Sequence, residues 1–236
     1  EDEVSFEIHG GGAIGWIPGP DWNGRLPVSF FSSVAAITLA WRGLLPLHAS
    51  TVVLHGKAWL IAGSPGAGKS TLTAELLAAG AELLADDLTA LSPSPQPLAW
   101  RGRPAMRLHP ASCAGLAIEG PPEPIDDGRG KVLVRPSARA ADRGWPVGGL
   151  ILLGQIIGNG PTAADKAMAY GSVLFRPRIL SALPGRAAIR EGLLGLARTV
   201  PMALVPEAWA FDPEARARRV DQALTAIARM AAKASA

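Results

Sequence analysis

Cysteine is almost missing from this chain: Cys113 stands alone among 236 residues. No intrachain disulfide framework is available, so the fold must hold by packing. Flanked by small residues, Cys113 reads as filler rather than a nucleophile. Long apolar runs are missing too. The nearest approach, residues 28–45, is broken by Ser29, Ser32, Ser33 and Arg42. It falls short of the roughly 18–20 apolar residues of a membrane span and reads as a buried amphipathic helix. Runs of one charge are equally scarce. The formal charge is +3, from 23 basic and 20 acidic residues. The densest basic cluster, Arg216, Arg218 and Arg219, fits a solvated helix face better than a nucleic-acid footprint. Neither nucleic acid nor a membrane is therefore an expected partner. Hydrophobic residues, in contrast, make up 48% of the chain and charged ones 18%, which favours a packed core over disorder. The length suits one generous domain or a domain with a small appendage. The chain opens Glu1-Asp2-Glu3, with neither Met nor a signal peptide, and reads as a trimmed cytoplasmic protein.

The punctuation along the chain predicts alternating strands and helices. Residues 4–18 read as two short strands about Gly10–Gly12, and 28–43 as a helix. Residues 1–45 would thus form a small N-terminal strand pair plus helix, and 46–236 the main domain. Strand 47–54, the turn His55-Gly56 and strand 57–62 follow. A helix is expected over 70–79, stopped by Gly80, and a strand over 82–85. The middle, 92–147, is rich in Pro, Gly and Arg, with short strand candidates at 98–101, 105–108 and 131–134. Its loop 119–130 reads as mobile. Residues 148–154 (GGLILLG) form a continuous apolar run, as a buried strand does. Helices within 162–182, over 186–198 and over 213–232, with a strand at 201–205, complete an α/β chain with a mixed sheet.

Residues 63–70 read Gly-Ser-Pro-Gly-Ala-Gly-Lys-Ser. This satisfies G-x-x-x-x-G-K-[ST], and the context is that of a P-loop: an apolar strand leads in and a run of helix formers leads out. Backbone amides of such a loop, with a helix N-terminus behind them, wrap phosphate. Gly63, Ser64, Pro65, Gly66, Ala67, Gly68, Lys69, Ser70 and Thr71 are the candidate nucleotide-binding residues. Lys69 would neutralise β- and γ-phosphate oxygens, and the Ser70 hydroxyl would bind Mg²⁺ beside ATP.

Asp86-Asp87 end the next predicted strand. The helix after the loop runs away from it, Gly80 turns the chain, and the strand returns. Its carboxyl end then lies at the same sheet edge as the loop, where ligands bind in open α/β sheets. Two carboxylates there can hold Mg²⁺ and accept a proton from an attacking hydroxyl. His48 is brought in by the hairpin: antiparallel pairing about His55-Gly56 sets it opposite about Gly63. Its residue type suits phosphate contact or proton handling. His9 and His109 have no such geometric case. Lys131 and Arg107, and with them Arg103 and Arg135, are further candidates for substrate or phosphate contact.

LPLHAS, the loop, and ELLAAGAELLADDLTAL together resemble the C-terminal catalytic domain of HPr kinase/phosphorylase. The resemblance is strong over 44–92 and weaker from 148 onward. It implies a P-loop kinase core of the HPr kinase/phosphoenolpyruvate carboxykinase-like type. It also implies Asp86 as general base, Asp87 with Ser70 on Mg²⁺, and His48 near the transferred phosphate. The chain departs from the bifunctional enzyme in two respects: it has no separate N-terminal domain of the expected size, and no Arg/Gly-rich segment for phosphorolysis. That layout is similar to the small HPr-kinase-like proteins of lasso peptide clusters, which phosphorylate a serine near the precursor's C-terminus. The expectation is an ATP- and Mg²⁺-dependent kinase acting on a peptide serine.

Other readings draw on fewer residues. Asp127-Gly-Arg-Gly130 matches the D-x-x-G of GTPases, but no N-K-x-D follows, and the L-S-G-G-Q of ABC ATPases is absent. An HPr-type protein serine kinase, a small-molecule hydroxyl kinase and a non-catalytic regulatory nucleotide-binding module all remain open. So do ATP against GTP and the number of subunits, because the pattern reads only phosphates and metal.

Overall fold

The computed structural model describes residues 4–20, 22–113, 116–125, 130–154, 161–206 and 212–233. A small antiparallel sheet comes first: β1 (Val4–His9) and β2 (Ala13–Pro18). A π-helical turn, Phe30–Val34, leads into α1 (Ala35–Trp41). The main elements follow in order: β3 (Leu45–Leu47), β4 (Ser50–Leu54), β5 (Lys57–Gly63), α2 (Lys69–Ala78), β6 (Glu82–Ala85), β7 (Thr89–Ser92) and β8 (Leu98–Trp100). Next come β9 (Met106–Leu108), the two-residue β10 (Glu123–Pro124), β11 (Val132–Val134) and β12 (Trp145–Leu153). Last are α3 (Ala163–Ser172), α4 (Pro177–Leu180), α5 (Arg186–Thr199), β13 (Met202–Val205) and α6 (Pro213–Lys233).

The main sheet is mixed, in the order β3-β7-β8-β12-β5-β4-β6, with β13 also beside β12. β5, β12 and β13 are parallel and the other pairings antiparallel. A central strand covered on both faces must be apolar, and β5 is from Ala58 to Gly63, after Lys57 at its start. Its residues alternate between faces as the pleat dictates. Leu60 and Ala62 join a cluster with Leu45, Leu150, Tyr170 and Leu196, while Trp59 and Ile61 join Leu72, Leu76, Ile151, Ile227 and Met230. Helices α3 and α5 therefore cover one face, and α2 and α6 the other. No described helix is long and apolar enough to cross a membrane.

Two features position the site. Helix α2 ends where Gly80 takes φ +97°, with the Ala81 amide donating to Leu76 O and the Gly80 amide to Leu77 O. This C-terminal cap turns the chain back. β6 pairs antiparallel with β4, as β4 does with β5. The carboxyl ends of β5 and β6 therefore share one edge. The expected strand 47–54 is divided. Leu45–Leu47 pairs with β7, whereas pairing with β5 begins only at Ser50, opposite Ile61. His48 and Ala49 form the crossing between the two arms, with the His48 amide donating to Val173 O at 2.6 Å. Residues 126–129 of the loop 119–130 lie outside the described residues, and with them the D-x-x-G match apart from Gly130.

Candidate functional site

A cavity of about 710 Å³ opens at the edge where β5 and β6 end. Gly66, Gly68, Lys69, Ser70 and Thr71 line it, as do His48, Asp87 and Arg107. Val28, Ser29, Ser32 and Ser33 of the N-terminal segment and Leu174, Phe175 and Arg176 also line it.

The loop between β5 and α2 is bent by glycines. Gly66 and Gly68 take φ of +90° and +88°, a region that L side chains rarely adopt. Gly68 is the N-cap of α2 and supplies no side chain to cap it. The first amides of that helix therefore lack the usual acceptor, an arrangement suited to an anion. Lys69 is 8% exposed. Its Nζ donates to Gly63 O at 2.9 Å and Ser64 O at 3.2 Å. Burial, and then Lys131, holds its ammonium below the usual lysine range, with Asp86 opposing.

The two aspartates point in different directions. Asp86 Oδ1 accepts from Ser50 Oγ at 2.6 Å and from Ser70 Oγ at 3.3 Å, and Oδ2 accepts from the Arg107 amide at 3.0 Å. Asp87 has φ +64°, which turns its carboxylate to the cavity wall and into an ion pair with Arg107. The structure thus brings Asp86, and not Asp87, against Ser70. Among the described residues, no group of three or more His, Cys, Asp or Glu could hold a metal alone. Ser70 Oγ and the Asp86 carboxylate are hard oxygen ligands, and they fit Mg²⁺, which takes most of its ligands from phosphates and water.

His48 Nδ1 lies 3.0 Å from Asp87 O. A carbonyl only accepts, so Nδ1 carries the proton and Nε2 of the neutral ring is the acceptor. Burial, then Lys69, lowers the His48 pKa from 6.5 to about 4 against the pull of Asp86; Arg107 and Arg176 add to the lowering. The ring is neutral near pH 7, edge-on to Phe175 at 5.5 Å between centroids.

Of the basic candidates, Lys131 and Arg107 line the cavity and Arg103 and Arg135 do not. Arg103 lies over the Phe31 ring at 4.3 Å, and Arg135 pairs with Glu123 near the surface. Sequence reasoning missed Ser50, Arg176, His109 and the serine wall. The serines had a signal: Ser29, Ser32 and Ser33 recur at helical spacing, which sets hydroxyls on one face. His109 and Arg176 had none, since each reaches the cavity only through the fold. Among the described residues, the ionisable groups lining the cavity apart from Asp87 are basic: His48, Lys69, Arg107, His109, Lys131 and Arg176.

Neither a family model nor a curated protein matches this chain. Among solved structures, the Hpr(Ser) kinase/phosphatase from Coxiella burnetii is similar over 49% of this chain and 69% of that one, at 18% identity and a TM-score of 0.34. A likeness of that size carries no weight alone. The mixed α/β fold and the cavity rest on the geometry described.

Proposed function

We propose that this chain is a P-loop kinase that binds Mg-ATP along Gly63–Thr71 and passes the γ-phosphoryl group to a hydroxyl. One juxtaposition supports this above the rest: Lys69 and Ser70, at the uncapped start of α2, line a cavity rich in basic residues, and Ser70 is hydrogen-bonded to Asp86 behind it. Loop amides and Lys69 hold the terminal phosphates. Ser70 and Asp86 hold the cation. Mg²⁺ supplies charge that stabilises the transferring phosphoryl oxygens. Asp86 already accepts three hydrogen bonds, which leaves the acceptor's proton to Asp87, the carboxylate on the cavity wall. This assignment exchanges the roles that the family resemblance implies. Neutral His48, fixed by the Asp87 carbonyl, orients that turn and offers Nε2 to the acceptor hydroxyl.

For the acceptor we propose a peptide serine, as in the small HPr-kinase-like proteins of lasso peptide clusters that the short strand pair and helix of residues 4–45 resemble. Val28, Ser29, Ser32 and Phe175 line the same cavity of about 710 Å³, and the proposal gives them the acceptor side chain to contact. Mass spectrometry after incubation with Mg-ATP and either a serine-ended precursor peptide or an HPr-type carrier protein tests the reading. One added phosphate on the peptide is expected. Phosphate on the carrier alone would move the acceptor to that protein, and retention of ATP without transfer to either would sink the peptide-kinase reading.

A further inference from the structure

Arg219 contradicts its sequence setting. Its cluster reads as a solvated face, yet Arg219 is 1% exposed. Arginine is almost never fully buried unless paired, and here the pairing is incomplete. Arg219 Nη2 lies 3.1 Å from Glu75 Oε2, while Arg216 Nε lies 2.5 Å from Glu75 Oε1. One carboxylate therefore answers two guanidinium groups, of which Arg216 keeps part of its surface in solvent while Arg219 is buried. Among the described residues, Arg219 Nε and Nη1 have no hydrogen-bond partner.

The position of those idle donors gives them a meaning. A Cβ on Gly68 would come within 2.6 Å of Arg219 Nη1. The guanidinium therefore lies directly against the glycine that caps α2, the helix that carries Glu75. A buried cation with idle donors costs the fold stability, and an apolar side chain of similar volume often does better at such a place. Packing alone does not call for arginine here. Charge beneath an anion site does, because salt screens weakly through the protein interior.

We propose that Arg219 is a positioning residue of the phosphate loop. It braces Gly68 from behind and sets a positive charge under the amides that hold the triphosphate. The inference rests on the nucleotide reading above.

Calorimetric titration with Mg-ATP on wild type, Lys69→Ala, Arg219→Met and Arg219→Lys tests it. Arg219→Met should keep the wild-type melting transition and full stoichiometry, with Kd raised about tenfold or more. A merely structural role would instead lower the number of competent sites at an unchanged Kd, and that result overturns the proposal. Should Arg219→Met not fold, Arg219→Lys decides. Its ammonium lacks the fork that reaches Glu75 and Gly68 together, so several-fold weaker binding is expected and a wild-type Kd overturns the proposal. Binding that is lost in Lys69→Ala but unchanged in both Arg219 variants refutes the Arg219 role alone. Failure of wild type to bind Mg-ATP removes the nucleotide reading and this proposal with it.

Discussion

Acidifying the protein without metal or nucleotide is expected to cost it stability through His48, and His48→Asn should remove that part of the loss. In the unfolded chain the imidazole takes its proton near the ordinary value of 6.5, whereas in the fold burial, and then Lys69, brings the value to about 4. The unfolded state therefore binds the proton first as pH falls. The stability present above 6.5 drains away down to about 4. At about 1.36 kcal/mol per pH unit, a fully buried ring would lose roughly 3 kcal/mol across that window. His48 keeps some surface in solvent, which brings the expected loss to about 1–2 kcal/mol. Urea unfolding near pH 7 and near pH 4.5 measures the difference directly. Carboxylates titrate in the same range, but they act on both proteins and cancel in the comparison. Wild type should lose about 1–2 kcal/mol more than His48→Asn. Equal losses would refute the reasoning, because burial would then not be disfavouring the charged ring.

Three further outcomes are expected. Lys69→Ala should abolish Mg-ATP binding measured by equilibrium titration, since on the proposed reading the variant loses the cation that would meet the phosphates; unchanged affinity would remove the phosphate site from this loop. Asp87→Asn should lower phosphoryl transfer about 10²- to 10⁴-fold with nucleotide still bound, while Asp86→Asn should mainly raise the Mg²⁺ concentration needed. The reverse pattern in steady-state assays would restore Asp86 as the base. Tyr170 is fully buried and its hydroxyl has no partner among the described residues, and burial raises its pKa. Tyr170→Phe keeps the packing and should leave stability unchanged or higher by about 1 kcal/mol in urea unfolding; a loss of that size would mean that the hydroxyl is bonded.

The sequence by itself determined the strand–loop–helix over 57–78, because its signals are local: an apolar run, glycines at fixed spacing, then helix formers. Gly80 announced the return of the chain, and the His55-Gly56 turn set a register that pairs Ser50 with Ile61. The shared edge of loop and aspartates followed from these. Tertiary structure decided what depends on distant partners. Leu45–Leu47 leaves β5 for β7, so His48 becomes a crossing rather than a strand residue. Asp86 and Asp87 are neighbours in the chain, yet a positive φ at the second sends their carboxylates apart. Arg219 looks like its exposed neighbour Arg218 until α6 is laid against α2, where Glu75 and Gly68 receive it. Local pattern sets element type and turn position, but which side chain meets which across the fold depends on contacts more than a hundred residues apart, such as Arg219 with Glu75, and those leave no periodic trace in the chain.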